Sequence, residues 1–422
     1  MALYETEEKQ ERALLVCLDT GEYDAESSLA ELSELVKSAG ADPAFTLVQK
    51  RPAPDTATCV GSGMAQEVAE LCRKEELDLV IFDRELSPTQ IRNLEKLCGI
   101  RVIDRTMLIL DIFALRAQSR EGKLQVELAQ LKYLLPRLTG QGTALSRLGA
   151  GIGTRGPGET KLETDRRHIR RRINSLREQL KGVEAARSEI NRRRKKDGTI
   201  TVALVGYTNA GKSTLMNQLT QAGVLAEDKL FATLDPTARA LKLPCGKTVM
   251  LIDTVGLLRR LPHHLVEAFK STLEQAATAD IILNVCDASS EEAGEHLAVT
   301  NELLQELGSA DRPVIPVLNK WDAVEDRTLA VRVQGAVRIS ALTGEGVEEL
   351  LKAVEENLPQ KTFEVELLLP FAKSGLAARL REEGAVLSEE YVEEGLRITA
   401  RVDERLYAPV QEFDQREKSG VL

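Results

Sequence analysis

The sequence predicts an α/β protein in four parts: a parallel-sheet N-terminal domain, a long antiparallel helical hairpin, a phosphate-loop domain and a small α+β C-terminal domain. Three observations predict it. Short apolar runs alternate with helical patterns over residues 1–105, the mark of a covered parallel sheet. Two helices with apolar residues stepped by 4 and 3 occupy residues 106–197, the spacing of a helical seam. A strand, a glycine-rich loop and a helix then open residues 198–359, and residues 360–422 return to strands.

Composition sets the bounds. A chain of 422 residues has room for three or four domains. It is 43% hydrophobic but only 4% aromatic, so its cores are built from Leu, Val, Ile and Ala. A net charge of −10 argues against a protein that coats nucleic acid uniformly. Cysteines at 17, 59, 72, 98, 245 and 286 form no C-x-x-C pair, which fits buried thiols in a reducing cytosol. Nothing reads as a signal peptide, and no apolar run approaches the roughly 18 residues of a membrane span. A cytoplasmic protein without stable membrane insertion is expected; peripheral association with a membrane stays open.

In the first part, residues 14–18, 45–49, 79–82 and 101–103 read as strands, and 25–38, 64–73 and 88–97 as helices. Gly61-Ser-Gly63 opens one helix and could take an anion there, although a tight turn accounts for it as well.

From residue 111 the pattern becomes long helix. Leu124, Leu128, Leu131, Leu135 and Leu138 form one seam; Ile169, Ile173, Leu176, Leu180 and Val183 form a matching one. The second helix, residues 161–196, would be about 50 Å long. Pro136 marks the last turns of the first. The connection, residues 139–160, holds seven glycines, Arg147 and Arg155, and a single acid, Glu159. It suits either a solvated linker or a close approach to an irregular RNA surface. The second helix favours RNA, because thirteen Arg or Lys residues face three Glu between Arg166 and Lys196. Such self-repulsion in an acidic chain calls for a polyanion partner. Arg166, Arg170, Arg171, Arg172, Arg192, Arg193 and Arg194, with Arg147 and Arg155, are the candidate RNA contacts. No aromatic residue interleaves with them, so structured RNA fits better than stacked single strands.

The third part carries the chemistry. Residues 200–205 read as a buried strand, followed by Gly206-Tyr-Thr-Asn-Ala-Gly-Lys-Ser213 and a helix from Thr214. In that setting backbone N–H groups can close around phosphate oxygens, and the helix N-terminus adds favourable partial charge. Candidate nucleotide contacts are therefore Gly206, Tyr207, Thr208, Asn209, Ala210, Gly211, Lys212, Ser213 and Thr214. Lys212 would reach the outer phosphates and Ser213 would bind Mg²⁺. Residues 249–254 end in Asp253-Thr-Val-Gly256. There Asp253 can hold Mg²⁺ through water, and the Gly256 N–H can meet the terminal phosphate. Residues 314–318 run into Asn319-Lys-Trp-Asp322, where Asn319 and Lys320 are further candidate nucleotide contacts and Asp322 can accept two hydrogen bonds from a guanine edge. Ser340, Ala341 and Leu342 follow a short strand, 336–339, and can bring a backbone amide to the guanine oxygen. The switch segments are 223–238 and 257–276. The first holds Phe231, a candidate nucleotide contact, and Thr233, which (ahead of Thr237) can swing its hydroxyl onto Mg²⁺. This order of motifs resembles the translation-factor-related GTPases, which implies a P-loop GTPase domain taking GTP and GDP.

Candidate catalytic residues are Lys212, Thr233, Gly256 and Asn209. Many GTPases place a Gln after Asp-x-x-Gly to orient the attacking water. Here Leu257 stands there, so slow hydrolysis alone is expected, with the missing group supplied by a partner, an ion or another loop. The Asn209 spacing resembles GTPases in which this residue helps hold K⁺, a candidate second cation; a plain turn residue is the alternative. Residues 360–422 read as a strand, a helix and further strands without recognisable chemistry.

Taken together, Gly149-Ala-Gly-Ile-Gly-Thr-Arg-Gly-Pro-Gly-Glu-Thr-Lys161, Phe231-Ala-Thr-Leu-Asp-Pro-Thr237 and Leu261-Pro-His-His-Leu-Val-Glu-Ala-Phe-Lys270 resemble the HflX family of ribosome-associated GTPases. The resemblance covers essentially the whole chain. It implies binding to the large ribosomal subunit and its rRNA through the N-terminal and hairpin regions, with the hairpin tip directed to the peptidyl transferase centre. It further implies splitting of stalled or idle ribosomes, especially after heat stress. Two departures are Met64, where a Lys is expected after Gly-x-Gly, and Leu257-Leu258 in place of Phe-Ile. A monomer is expected. The alternative is a nucleotide-gated ribosome- or RNA-binding regulator with little need for hydrolysis; a regulator of other RNAs or of membrane proteases is a weaker third reading.

Overall fold

The computed structural model describes residues 10–138, 157–196, 198–220, 231, 237–258, 276–309, 312–324, 333–359 and 362–415. The chain divides into two units: Met1–Ser188 with Glu227–Asp235 and Arg260–Lys270, and Glu189–Ala226 with Pro236–Arg259 and Ser271–Leu422.

In the first unit the strands are β1 (Arg12–Asp19), β2 (Asp42–Lys50), β3 (Leu79–Phe82) and β4 (Arg101–Asp104), all parallel in the order β2-β1-β3-β4. The central β1 is apolar throughout its middle and buried from Ala13 to Leu18, as a strand covered on both faces must be. Helices α1 (Ala25–Ser38), α2 (Ser62–Lys74), α3 (Pro88–Cys98) and α4 (Arg105–Arg116) connect and follow the strands. Asp24, Ser87 and Asp104 each accept a backbone N–H from the first turn of α1, α3 and α4, the capping that fixes where these helices start. The pattern that reads as one long helix from residue 111 is instead two. Helix α4 ends at Arg116, and the Ser119 side chain caps a new helix, α5 (Arg120–Arg137), by accepting from Gly122 N–H.

Buried polar groups tie α4 to the sheet. Arg105, 3% exposed, donates to Asp83 at 2.9 Å and to Glu31. Ser28 donates to the other Asp83 oxygen at 2.5 Å. Phe113 of α4 meets the ring of Phe231 edge-on, with centroids 4.6 Å apart at 78°.

Helix α6 (Pro157–Lys196) is 40 residues long, about 60 Å at 1.5 Å per residue. Leu124 and Leu128 of α5 pack with Ile173, Leu176 and Leu180 of α6, flanked by Leu131, Leu135, Ile169 and Val183. The partners Glu127–Arg172 and Glu121–Arg187 run in opposite directions along the two helices, so the hairpin is antiparallel. Leu138, placed on the seam by its spacing, caps the end of α5 instead.

The second unit holds a six-stranded sheet ordered β10-β9-β8-β5-β7-β6. Its strands are β5 (Ile200–Val205), β6 (Thr237–Lys242), β7 (Thr248–Asp253), β8 (Ile281–Asp287), β9 (Val314–Asn319) and β10 (Val337–Arg338). All pairings are parallel except β6 with β7. Strand β6 is absent from the sequence reading, because half of its Thr-Ala-Arg-Ala-Leu-Lys is exposed and it carries no apolar run. Helices α7 (Lys212–Thr220), α8 (Ala293–Glu306) and α9 (Val347–Glu356) accompany the sheet. A second, antiparallel sheet, β11-β13-β12, is formed by β11 (Thr362–Leu369), β12 (Ala385–Val392) and β13 (Gly395–Asp403). Helix α10 (Ser374–Glu383) packs Ala377 and Leu380 into its apolar core. Among the described residues no helix is long and apolar enough to cross a membrane.

Candidate functional site

The loop from β5 to α7 forms at the carboxyl edge of the six-stranded sheet, where parallel α/β proteins take their ligands. Gly206 turns there with φ 148°, and a Cβ on it would stand 2.0 Å from the Val285 carbonyl oxygen. Only glycine fits. Lys212 opens α7 and is buried; its ammonium donates to the carbonyls of Gly206 at 2.9 Å and Tyr207 at 2.7 Å. The side chain thus closes the loop on itself. Burial pushes its pKa down to about 8, partly offset by the Asp253 carboxylate. Asn209 is exposed, with φ 61°, a conformation Asn tolerates better than most residues. Tyr207 stacks on His296 of α8, rings 3.9 Å apart at 21°, a contact no motif announces.

The Ser213 hydroxyl donates to Asp253 Oδ2 at 2.8 Å. Two hard oxygen donors side by side, below an anion-binding loop, suit Mg²⁺ with waters completing its shell. The residues after Asp253 are stitched to the phosphate loop: Leu257 N–H donates to Gly206 at 3.1 Å, and Thr208 N–H donates to Leu257 at 2.8 Å. These bonds hold Gly256 beside the Thr208 backbone. Leu257 itself is 3% exposed. Thr233 lies outside the described residues, as do Arg147 and Arg155. Phe231, expected at the nucleotide, has its ring in the aromatic pair with Phe113.

On the base side, Asn319 joins two loops. Its amide donates to Ala210 O at 2.7 Å, and its Oδ1 accepts from Ala341 N–H at 2.9 Å. A Cβ on Gly211 would fall 2.2 Å from the same amide nitrogen, which explains that glycine. Asn319 therefore braces the phosphate loop against the 340–342 loop. Trp321 is buried, its backbone N–H donates to Ile339 O at 3.0 Å, and the Arg338 guanidinium lies 5.0 Å from its ring. This leaves Asp322 and Leu342 exposed, with Ser340 buried and its hydroxyl accepting from Thr343 N–H at 3.1 Å. The Lys320 ammonium pairs with Asp287 at the end of β8. Sequence reading did not single out Asp287; the available signal was an acid closing an apolar strand at the carboxyl edge of a parallel sheet.

The arginines of α6 fall into two groups. Arg172 grips Glu127 with two hydrogen bonds of 2.6 and 2.8 Å, Arg187 grips Glu121 at 2.6 Å, and Arg192 pairs with Glu189. Arg167, Arg170, Arg171 and Arg177 are exposed and form no ion pair among the described residues. Arg166 is half-buried, and the side chains of Arg193 and Arg194 lie outside the described residues.

A parallel sheet with this loop, a serine–aspartate pair beneath it and an Asn-Lys-x-Asp segment braced against it define a P-loop GTPase domain. Family models agree: residues 26–114 match "GTP-binding GTPase N-terminal", 116–194 "GTP-binding GTPase Middle Region" and 201–320 "50S ribosome-binding GTPase". The GTPase HflX of Lacrimispora saccharolytica is 49% identical over 96% of this chain and 97% of its own, and that of Escherichia coli 44% identical over 91% and 92%. The chain belongs to the HflX family of GTPases. A GTP-binding protein from Sulfolobus solfataricus, solved with GDP, is 26% identical over 82% of this chain and 98% of its own, with a TM-score of 0.45.

Proposed function

We propose that this protein is a cytoplasmic, monomeric GTPase that docks on the large ribosomal subunit and splits stalled or idle ribosomes, in particular under heat stress. The observation that carries the proposal is the outward arginine group on α6, unmatched by acids, in a chain that also holds a phosphate loop. A "50S ribosome-binding GTPase" model matching residues 201–320 supports the same reading. The four parts of the sequence divide the work: GTP binding and hydrolysis over 198–359, docking on the large subunit by 1–105 and 106–197, and accessory binding by 360–422.

Within the GTPase domain, Lys212 holds the outer phosphates and Asp322 reads the guanine edge, while the Leu342 amide faces its oxygen, the Ala341 N–H being held by Asn319. Ser213, Asp253 and Thr233 are the residues that would hold Mg²⁺, which when bound neutralises charge on the phosphates. The Gly256 N–H reports the terminal phosphate to the segment that follows it. Asn209 is assigned to K⁺; GTP turnover should then run faster in K⁺ than in Na⁺, and Asn209→Ala should abolish the difference. Equal turnover of the wild type in both salts removes K⁺ from the scheme.

The test of the main reading is sedimentation with ribosomes in a non-hydrolysable GTP analogue and in GDP. Separation of subunits with the analogue and not with GDP is expected; intact ribosomes in both would overturn the proposal. Leu257, apolar and buried where a water-orienting Gln is common, favours a second reading in which the bound GTP state does the work and hydrolysis matters little. Turnover with and without ribosomal subunits separates the two, since strong stimulation supports the first.

A further inference from the structure

Lys320 lies between two candidate nucleotide contacts, Asn319 and Asp322, and its backbone is left-handed, φ 58°. A long side chain in this conformation calls for a reason. The side chain reaches from the end of β9 toward the end of β8, where its ammonium stands 2.8 Å from Asp287 Oδ2, with 31% and 24% of the two side chains exposed. Asp287 and Asn319 are register partners in neighbouring parallel strands, and Ala288 N–H donates to Asn319 O at 2.8 Å. The two ends of the ion pair are therefore fixed by backbone. The carboxylate also divides its two oxygens. Oδ1 accepts from the N–H and hydroxyl of Ser289, at 3.0 and 2.6 Å, and Oδ2 faces Lys320.

We propose that Asp287 is a positioning residue for the guanine base: it anchors the Lys320 ammonium and so stretches the methylene stem across the carboxyl ends of β8 and β9 as an apolar shelf. A lysine with its head held and its stem lying flat covers surface as an aliphatic side chain does, and a flat base needs such a floor beside the edge that Asp322 reads. The inference rests on the guanine reading above. It adds a residue that touches no nucleotide yet sets how long one stays.

The test is dissociation of a fluorescent GDP analogue from the full-length protein. Asp287→Asn keeps Oδ1 for Ser289 and replaces Oδ2 with an amide that cannot hold an ammonium. Partly exposed ion pairs are modest, so dissociation should speed about two- to fivefold. The KM for GTP should rise by the same factor while kcat stays unchanged, and added salt should narrow the difference between the two proteins. In a Lys320→Met background, which keeps a stem without its charge, Asp287→Asn should have no further effect. Ser289→Ala, which removes only the hydroxyl bond to Oδ1 and keeps the N–H bond, should dissociate like wild type. Unchanged dissociation in Asp287→Asn, an undiminished effect in Lys320→Met, or a Ser289→Ala that reproduces the phenotype would each overturn the inference. A wild type that fails to retain the GDP analogue would overturn the guanine reading itself and the inference with it.

Discussion

At the nucleotide site the fold alters the chemistry of Lys212. In a free chain its ammonium would titrate near 10.5, and burial brings it to about 8. A base whose folded value is lowered destabilises the fold while both forms are charged, and the cost is relieved as pH rises between the two values. The nucleotide-free protein should therefore gain stability between about pH 8 and 10.5, and Lys212→Met should lose that gain. Phosphates beside the ammonium favour its charged form, so GDP binding at about pH 9 should take up a proton. Calorimetry in buffers of different ionisation enthalpy measures it; no uptake in the wild type, or equal uptake in Lys212→Met, would contradict the assignment. Asp322 supports a second prediction at this scale. Asp322→Asn replaces an acceptor pair by one acceptor and one donor. A hydrogen bond to a charged group is worth about 1.5–3 kcal/mol, so GTP affinity should fall roughly ten- to hundredfold while xanthine nucleotides gain. Unchanged GTP affinity in direct titration would remove Asp322 from the base site.

Among the elements, α4 and α5 show how magnitude separates two kinds of ion pair. Arg105 is almost fully buried between Asp83 and Glu31, and removing one partner of a buried pair strands the other charge at a cost of about 3–5 kcal/mol. Arg105→Met should therefore lower the denaturation midpoint of the first unit strongly. The Arg172–Glu127 pair looks as good in geometry but is 50% and 39% exposed, which limits it to about 1 kcal/mol or less. Glu127→Ala should leave stability nearly unchanged. Comparable losses for the two variants in denaturant melts would refute this ranking. The break between α4 and α5 belongs to the same scale, since Ser119 ends one apolar helical stretch and starts another only because its side chain finds the Gly122 N–H.

For the whole molecule, the proposal makes the hairpin the working part and the GTPase domain its control. Differential affinity of the GTP and GDP states for the ribosome is the free energy available for that coupling. Replacing residues 140–158 with a short linker should leave GTP binding and recruitment to the large subunit intact and abolish splitting. Reversing Arg167, Arg170, Arg171 and Arg177 to Glu should weaken recruitment itself. Arg172 is left out of that set because it is engaged with Glu127. If roughly 6–10 phosphates are contacted, affinity should fall by orders of magnitude between low and moderate salt. Splitting by the tip deletion, or salt-insensitive binding by the wild type, would defeat the scheme on a ribosome gradient.

The sequence by itself determined the order of most strands and helices, the phosphate loop, Asp253, the Asn-Lys-x-Asp segment and both apolar seams of the hairpin. Each is a local pattern: a buried strand reads as a continuous apolar run, and a seam repeats with helical spacing. Only the tertiary structure decided what depends on residues far apart in the chain. It buried Lys212 within reach of the Asp253 carboxylate, which ends another strand. It made Asn319 a brace between Ala210 and Ala341, and brought Asp287 to Lys320 across neighbouring strands. It also sorted the arginines of α6, since Glu127 and Glu121 reach them from another helix. Charge and hydrogen bonding act over a few ångströms of space whatever the separation along the chain. Partners such as Glu127 and Arg172 or Ala210 and Asn319, 45 and 109 residues apart, therefore leave no trace in sequence spacing.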